Sequence, residues 1–314
     1  MLQIMQIVII SSLTALIDGV LAHRFRSLPL YRRHFYLSVA LIFIPLDLMG
    51  VHLSWGTRVI GVLVGLTLPV LLKMVSRSWY THSWAKGSFK RHDAKRSLVI
   101  IADPHWSKDT GYLDEIQKKY TGVDWLFLGD CFDIWIGLPN YETSAQKGFL
   151  EWVDHRRQEG AWVGLWLGNR EYFLDYLAPR FDLMGEGTGG YLMDESFHFE
   201  HGDLINSEDI QYRFWNLASR SSLVWILFRM IPARWGQRLG SWLESKLKTT
   251  NQNYKIEFPK DAFGKVARSF SPSIFIVGHF HTEHRIENGR VIPWNYSGTH
   301  AIWAEGHLDI KSIH

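Results

Sequence analysis

Cysteine is nearly missing from this 314-residue chain. Cys131 is the only one, which excludes an intramolecular disulfide framework and any multi-cysteine zinc site. A lone cysteine most often serves as a small core residue. No G-x-x-x-x-G-K-[S/T] and no G-x-S-x-G occurs, so the P-loop and the serine-hydrolase elbow are excluded as well. Acidic residues are scarce at one end only. Residues 1–96 hold 12 Lys/Arg against Asp18, Asp47 and Asp93, a balance of +9. The remainder holds 22 Lys/Arg against 28 acids, a balance of −6, and the two sum to the formal +3 of the whole chain. The sequence therefore falls into two physical regimes.

In the first regime, long apolar runs dominate. They extend from Met1 to Ala22, from Phe35 to Leu53 and from Val59 to Val75. Each is near the roughly 17–25 residues that cross a bilayer core. Arg24, Arg26, Arg32 and Arg33 fill the first connection, and Arg77, Lys86, Lys90, Arg91, Lys95 and Arg96 come after the third run. Under the positive-inside rule both basic clusters are cytoplasmic. The expectation is an all-α transmembrane region over 1–76 and a multi-pass protein of the inner (cytoplasmic) membrane, with its C-terminal domain facing the cytoplasm. Residues 77–96 read as a basic and aromatic juxtamembrane linker suited to lipid headgroups. Basic-aromatic mixing also suits nucleic acid, but the acidic domain beyond it argues against a nucleic-acid partner. No protein partner is indicated.

From residue 97 to 314 the texture changes to that of an α/β domain. Short apolar runs at Ser97–Ala102, Asp124–Leu128, Ala161–Leu167, Phe197–Glu200 and Ser273–Val277 alternate with helical spacing such as Thr143–Arg157. The run Gly185–Gly190 contains a literal G-x-G-x-x-G. Its continuation, Y-L-M-D-E-S-F-H-F-E-H, reads as a turn running into a strand rather than a helix, so the dinucleotide fingerprint lacks its context.

Each of those five runs ends in a polar cluster. They are Asp103-Pro-His105, Gly129-Asp130-Cys-Phe-Asp133, Gly168-Asn169-Arg170-Glu171, His201-Gly-Asp203 and Gly278-His279-Phe-His281. Taken singly, each is an ordinary turn or a structural pair. Five in succession at strand ends point to one site, because in open α/β sheets the chemistry sits just past the strand ends. Carboxylates beside imidazoles suit a pair of divalent first-row ions such as Mn²⁺ or Fe²⁺. In Asp-x-His and His-x-His the two side chains fall on one side of an extended chain. His300, near the chain end, either packs structurally or supports a ligand.

This succession resembles the calcineurin-like metallophosphoesterase superfamily, whose pattern is D-x-H, G-D-x-x-D, G-N-H-[D/E], an isolated His and G-H-x-H. Arg170 stands where that pattern has its histidine. The G-N-R-[D/E] variant is similar to UDP-2,3-diacylglucosamine pyrophosphohydrolases, as are L-G-D-C-F-D-I-W-I-G (128–137), G-N-R-E-Y-F-L (168–174) and H-G-D-L-I-N-S-E-D-I-Q-Y-R-F (201–214). The resemblance implies a four-layer αββα sandwich with a helical lid inserted after the isolated histidine. It also implies two divalent ions, with manganese expected. One would be held by Asp103, His105, Asp130 and His281, the other by Asp130, Asn169, His201 and His279. Arg170 would contact substrate phosphate, and Asp209 and Tyr212 would lie near the nucleotide or sugar. The implied reaction releases UMP and 2,3-diacylglucosamine 1-phosphate from a lipid-linked nucleotide sugar in lipid A synthesis. Another nucleotide-linked or lipid phosphoester remains an alternative substrate.

The segment 213–248 carries four Trp and seven basic residues against one acid, Glu244. Pro232 is expected to divide it into two basic amphipathic helices, a pattern suited to contact with membrane lipid or an acyl chain.

Overall fold

The computed structural model describes residues 84–86, 96–106, 110–138, 141–187, 190–192, 197–232, 258–293 and 298–313, with a few positions between 234 and 242. These residues divide into two compact units. One comprises Ala85–Asp209 and Ile231–His314, and the other includes Ile210–Met230.

In the larger unit the first sheet is built on β2 (Leu98–Ile101), β3 (Asp124–Phe127), β5 (Val163–Leu167) and β7 (Leu183–Glu186). These four run parallel, with Leu98 opposite Asp124, Trp125 opposite Val163 and Gly164 opposite Leu183. The antiparallel pair β13 (His300–Ala304) and β14 (His307–Lys311) closes one edge, and β1 (Trp84–Lys86) lies at the other. A parallel sheet covered on both faces needs continuous apolar strands rather than alternating ones. Leu98-Val-Ile-Ile101 meets that need and is buried throughout. The second sheet has the order β11 (His284–Ile286), β12 (Gly289–Val291), β10 (Ile274–Val277), β9 (Phe197–Glu200) and β8 (Gly190–Leu192), with β9 and β10 parallel. The glycine run after Leu183 thus joins two strands, and among the described residues no dinucleotide-binding helix comes after it.

Period-two alternation sends successive side chains to opposite faces, and each face finds its own partner. Leu98, Ile100, Leu126 and Leu128 of the first sheet share one core with Phe197, Phe199 and Ile276 of the second. On the other face of β3, Trp125 and Phe127 meet Trp152 and Phe149 of α2 (Ser144–Gln158), with ring centroids 4.9 and 5.0 Å apart. On the other face of β10, Phe275 and Val277 meet Phe263 and Ala267 of α5 (Lys260–Ser269). The α2 helix starts on a capping box. Thr143 Oγ1 accepts from Gln146 N–H, and Gln146 Oε1 accepts from Thr143 N–H at 3.0 Å. His155, Arg156 and Arg157 end it, where positive charge complements the helix dipole. A shorter helix, α1 (Gly111–Lys119), links β2 to β3.

The smaller unit contains α3 (Ile210–Ser219) and α4 (Ser222–Met230). The helical segment is therefore already broken at Arg220–Ser221, ahead of Pro232, where the sequence places the break. Ser221 Oγ accepts from Val224 N–H at 3.4 Å, so a serine side chain competes with the helical ladder and starts the new helix. Ile210, Phe214, Trp215, Leu227 and Met230 are exposed on this pair.

The multi-pass membrane assignment is corrected here. No helix among the described residues is long and apolar enough to cross a membrane. The longest, α2, has 15 residues, about 22 Å at 1.5 Å per residue, and it buries one stripe rather than its whole circumference. The three apolar runs and most of the 77–96 segment lie outside the described residues.

Candidate metal centre

The parallel strands deliver their C-terminal ends to one place, and the loops beyond them are laced together by backbone hydrogen bonds. Asp103 N–H donates to Gly129 O (3.1 Å), His105 N–H to Asp130 O (3.0 Å) and Gly278 N–H to His201 O (3.0 Å). Asp103, His105, Asp130, His279 and His281 all hold positive φ, between 47° and 65°. For residues other than glycine that region costs about 1–3 kcal/mol and persists only when the surroundings over-determine it. Backbone strain is thus concentrated on the candidate ligands.

Two groups of side chains have ligand atoms within 4.8 Å of one another: Asp103, His105 and His281, and Asp103, Asp130 and His201. Asp130 faces both. Its Oδ2 lies 4.0 Å from His105 Nε2, and its Oδ1 lies 3.6 Å from His201 Nε2. His201 Nδ1 donates to Leu128 O at 2.8 Å, which fixes the ring and turns Nε2 toward Asn169 Oδ1, 3.0 Å away. His279 packs beside His201 with ring centroids 5.1 Å apart, and its N–H donates to Asp103 Oδ2 at 2.6 Å. The structure thus gathers Asp103, His105, Asp130, Asn169, His201, His279 and His281 into one cluster, in which Asp103, Asp130 and His201 are buried and the other four half-buried.

The donor set fits cations. His105 Nε2 and His281 Nε2 face each other at 3.3 Å. Burial drives His105 down to about 3 and lowers His281 as well, so both rings are neutral at pH 7 and at least one lone pair is left facing the gap. Asp103 Oδ1 is fully buried and makes no hydrogen bond among the described residues. Burial and the nearby Asp130 carboxylate push Asp103 up. His201 behaves oppositely: burial disfavours its charge, but Asp130 and Asp103 outweigh that and raise it to about 9. The cluster therefore holds protons where divalent ions would place positive charge.

Arg170 is almost fully buried against Asp130. Its N–H donates to Asp130 Oδ1 at 2.9 Å, its Nε lies 3.4 Å from Asp130 Oδ2, and Nη1 donates to Asp133 O at 3.0 Å. With the charged His201 it holds Asp130 ionised, down at about 2, against the opposing effect of burial. Asp209 is exposed at the end of the larger unit. Tyr212 belongs to α3, where its hydroxyl accepts from Asn216 Nδ2 at 3.2 Å. His300 turns to Gly298 O at 2.9 Å and to the distant Tyr120 Oη at 3.4 Å.

In the sequence Glu171 has a place in a motif but no task. In the structure it is completely buried and accepts three backbone N–H bonds from the loops that carry Asp130 and Asn169. The one sequence signal for it is an acid directly after Gly-Asn-Arg.

No family model matches the chain. Among curated proteins it is 23% identical over 215 residues to a UDP-2,3-diacylglucosamine hydrolase of Histophilus somni (strain 129Pt), covering 62% of this chain and 87% of that protein. It is 27% identical over 234 residues to the protein of the same name from Yersinia pseudotuberculosis serotype O:1b (strain IP 31758), covering 65% and 93%. Among solved structures, a protein from Streptococcus pneumoniae TIGR4 described as a predicted phosphoesterase aligns at 14% identity with a TM-score of 0.29, covering 71% of this chain and 92% of that one. The chain is a hydrolase similar to the UDP-2,3-diacylglucosamine hydrolases, and its carboxylates and imidazoles are grouped closely enough to hold a metal ion.

Proposed function

We propose that this chain hydrolyses UDP-2,3-diacylglucosamine at the α-phosphorus, yielding UMP and 2,3-diacylglucosamine 1-phosphate, a step of lipid A synthesis. The observation that carries this reading is the substitution at the motif's histidine. A buried Arg170 lies against Asp130, with no imidazolium at that position to protonate a leaving group. Phosphate leaves without protonation, so a pyrophosphate linkage suits this site better than an alkyl phosphomonoester. Water adds to the α-phosphorus, the bond to the bridging oxygen breaks, and the departing oxygen leaves on the sugar 1-phosphate. The relatives' names support the same substrate.

Asp103, His105, Asp130 and His281 would hold one divalent ion, and Asp130, Asn169, His201 and His279 the other. The mixed carboxylate, amide and imidazole donors suit Mn²⁺. When bound, two such ions supply a nucleophilic water at neutral pH and Lewis acidity toward the phosphoryl oxygens. Asp130 keeps its charge at the centre, His201 is held in one orientation by Leu128 O, and Arg170 presents fixed positive charge beside the reacting phosphate. We assign Asp209 and Tyr212 to the nucleotide or sugar.

The test is UMP release from UDP-2,3-diacylglucosamine by purified protein with Mn²⁺ or with chelator, alongside Asp130→Asn. Mn²⁺-dependent UMP that is lost in the variant is the expected result. Hydrolysis of a generic phosphodiester without any UMP would keep the phosphoesterase and discard this substrate in favour of another nucleotide-linked or lipid phosphoester.

A further inference from the structure

We propose that Glu171 is a positioning residue for the metal centre: its buried carboxylate clamps the Asp130 and Asn169 loops to each other and so sets occupancy of the half-site formed by Asp130, Asn169, His201 and His279. The inference rests on the two-metal reading above.

One side chain spans two loops. Glu171 Oε1 accepts from Cys131 N–H at 2.6 Å, and Oε2 accepts from Asp130 N–H at 2.9 Å and Gly168 N–H at 2.8 Å. The first two amides lie just past β3 and the third just past β5. Three backbone donors engage both carboxylate oxygens, which turns the group away from ligation and makes it a fixed brace.

The brace is itself anchored. Glu171 opens β6 (Glu171–Tyr172), which pairs in parallel with β4 (Trp135–Ile136). Trp135 N–H donates to Arg170 O (2.9 Å) and Gly137 N–H to Tyr172 O (2.6 Å). The contact is reciprocal. Glu171 holds the Asp130 amide while the Arg170 amide holds the Asp130 carboxylate at 2.9 Å. The positive φ of Asp130, 49°, needs such over-determination.

The two loops also have no slack between them. A Cβ on Gly129 would come 2.5 Å from Gly168 N, and a Cβ on Gly168 would strike Asp130 Oδ1. With side chains excluded from the gap, Glu171 is an acceptor that draws both backbones together. Its removal lets Asp130 and Asn169 separate, and they are the ligands of one half-site. The other half-site shares Asp130, but its remaining residues, Asp103, His105 and His281, lie on neither clamped loop.

A glutamine at 171 keeps the size but offers one oxygen, so an amide –NH₂ would face either Cys131 N–H or the pair from Asp130 and Gly168. The experiment is Mn²⁺ binding to Glu171→Gln by calorimetry and electron paramagnetic resonance, with circular dichroism to verify folding. Wild type should bind two ions and show a spin-coupled pair, as ions about 3.5–4 Å apart do. The variant should bind one ion with near wild-type affinity, bind the second at least tenfold more weakly, and lose the coupled spectrum. A role confined to stability would lower the melting temperature and leave stoichiometry and coupling intact, and that result overturns the inference alone. Wild type failing to bind two ions overturns the two-metal reading, and the inference with it. Should Glu171→Gln not fold, Glu171→Asp keeps both oxygens but shortens the reach. It should weaken the second ion at least threefold, and wild-type binding of both ions there would refute the clamp.

Discussion

Gly278→Ala is the sharpest steric test of the centre. Gly278 precedes His279, and a Cβ placed on it would strike Asp103 Oδ2, come 2.8 Å from Ala102 Cβ and 3.3 Å from Asp103 Cγ. The struck atom is the oxygen that accepts from His279 N–H in a fully buried setting, so it has nowhere to retreat except along the ligand geometry. Overpacking of this kind costs about 1–3 kcal/mol. If half of a 3 kcal/mol penalty falls on the bound state, Mn²⁺ affinity drops about tenfold, since about 1.4 kcal/mol is one decade. At a Mn²⁺ concentration 100-fold above Kd, binding stabilises by about 2.7 kcal/mol, and a tenfold weaker site gives about 1.4. For a unit of 150–250 residues each kcal/mol moves Tm by about 2–4 °C. The Mn²⁺-induced rise should therefore shrink from about 5–11 °C to about 3–6 °C. Gly148→Ala is the matched control. Gly148 is exposed within α2 with nothing within 4 Å of its added Cβ, so the change should leave the Mn²⁺ response intact and stabilise by about 0.5–1 kcal/mol. Differential scanning fluorimetry with and without Mn²⁺ reads both variants. An unaltered Mn²⁺ shift in Gly278→Ala would refute the placement of Asp103 as a ligand.

Single contacts set further outcomes. Arg170→Lys should not restore the activity lost in Arg170→Ala, because one ammonium cannot both reach Asp133 O and lie along Asp130 as the guanidinium does; UMP release by both variants checks this, and full rescue by lysine would reduce the role to bare charge. Asp182 accepts Arg157 Nε at 3.1 Å, Arg157 Nη2 at 2.9 Å and Val163 N–H at 3.0 Å, so Asp182→Ala should destabilise by about 3–5 kcal/mol in urea unfolding. Metal binding should tighten as pH rises from 6 to 9. Asp103, raised to about 8, and His201, raised to about 9, hold protons below those values, and a cation must displace them. Calorimetry in buffers of different ionisation enthalpy should detect that proton release at pH 7, and pH-independent binding would contradict it.

What the sequence by itself determined was local. Apolar runs of four to seven residues specify strands, and all five runs became strands within their expected limits, as in Leu98–Ile101 and Phe197–Glu200. Thr143 with Gln146 three residues on starts a helix by reciprocal bonds that need no distant partner. The polar clusters gathered at the strand ends because parallel strands must all deliver their C-terminal ends to one side. Tertiary structure alone decided what depends on residues far apart in the chain. Asp103 meets His279 across 176 positions and Glu171 meets Asp130 across 41, and no spacing rule reaches so far. The motif reads Arg170 as a contact for substrate phosphate, and only the fold shows it buried against Asp130, since a guanidinium beside a buried carboxylate satisfies charge that water cannot reach. The helical break at Arg220–Ser221 was equally illegible, because a serine that competes for a backbone amide leaves no mark in composition, whereas Pro232 does. Residue types set the chemistry available at the site, and the long-range backbone contacts set which oxygen and which nitrogen face each other.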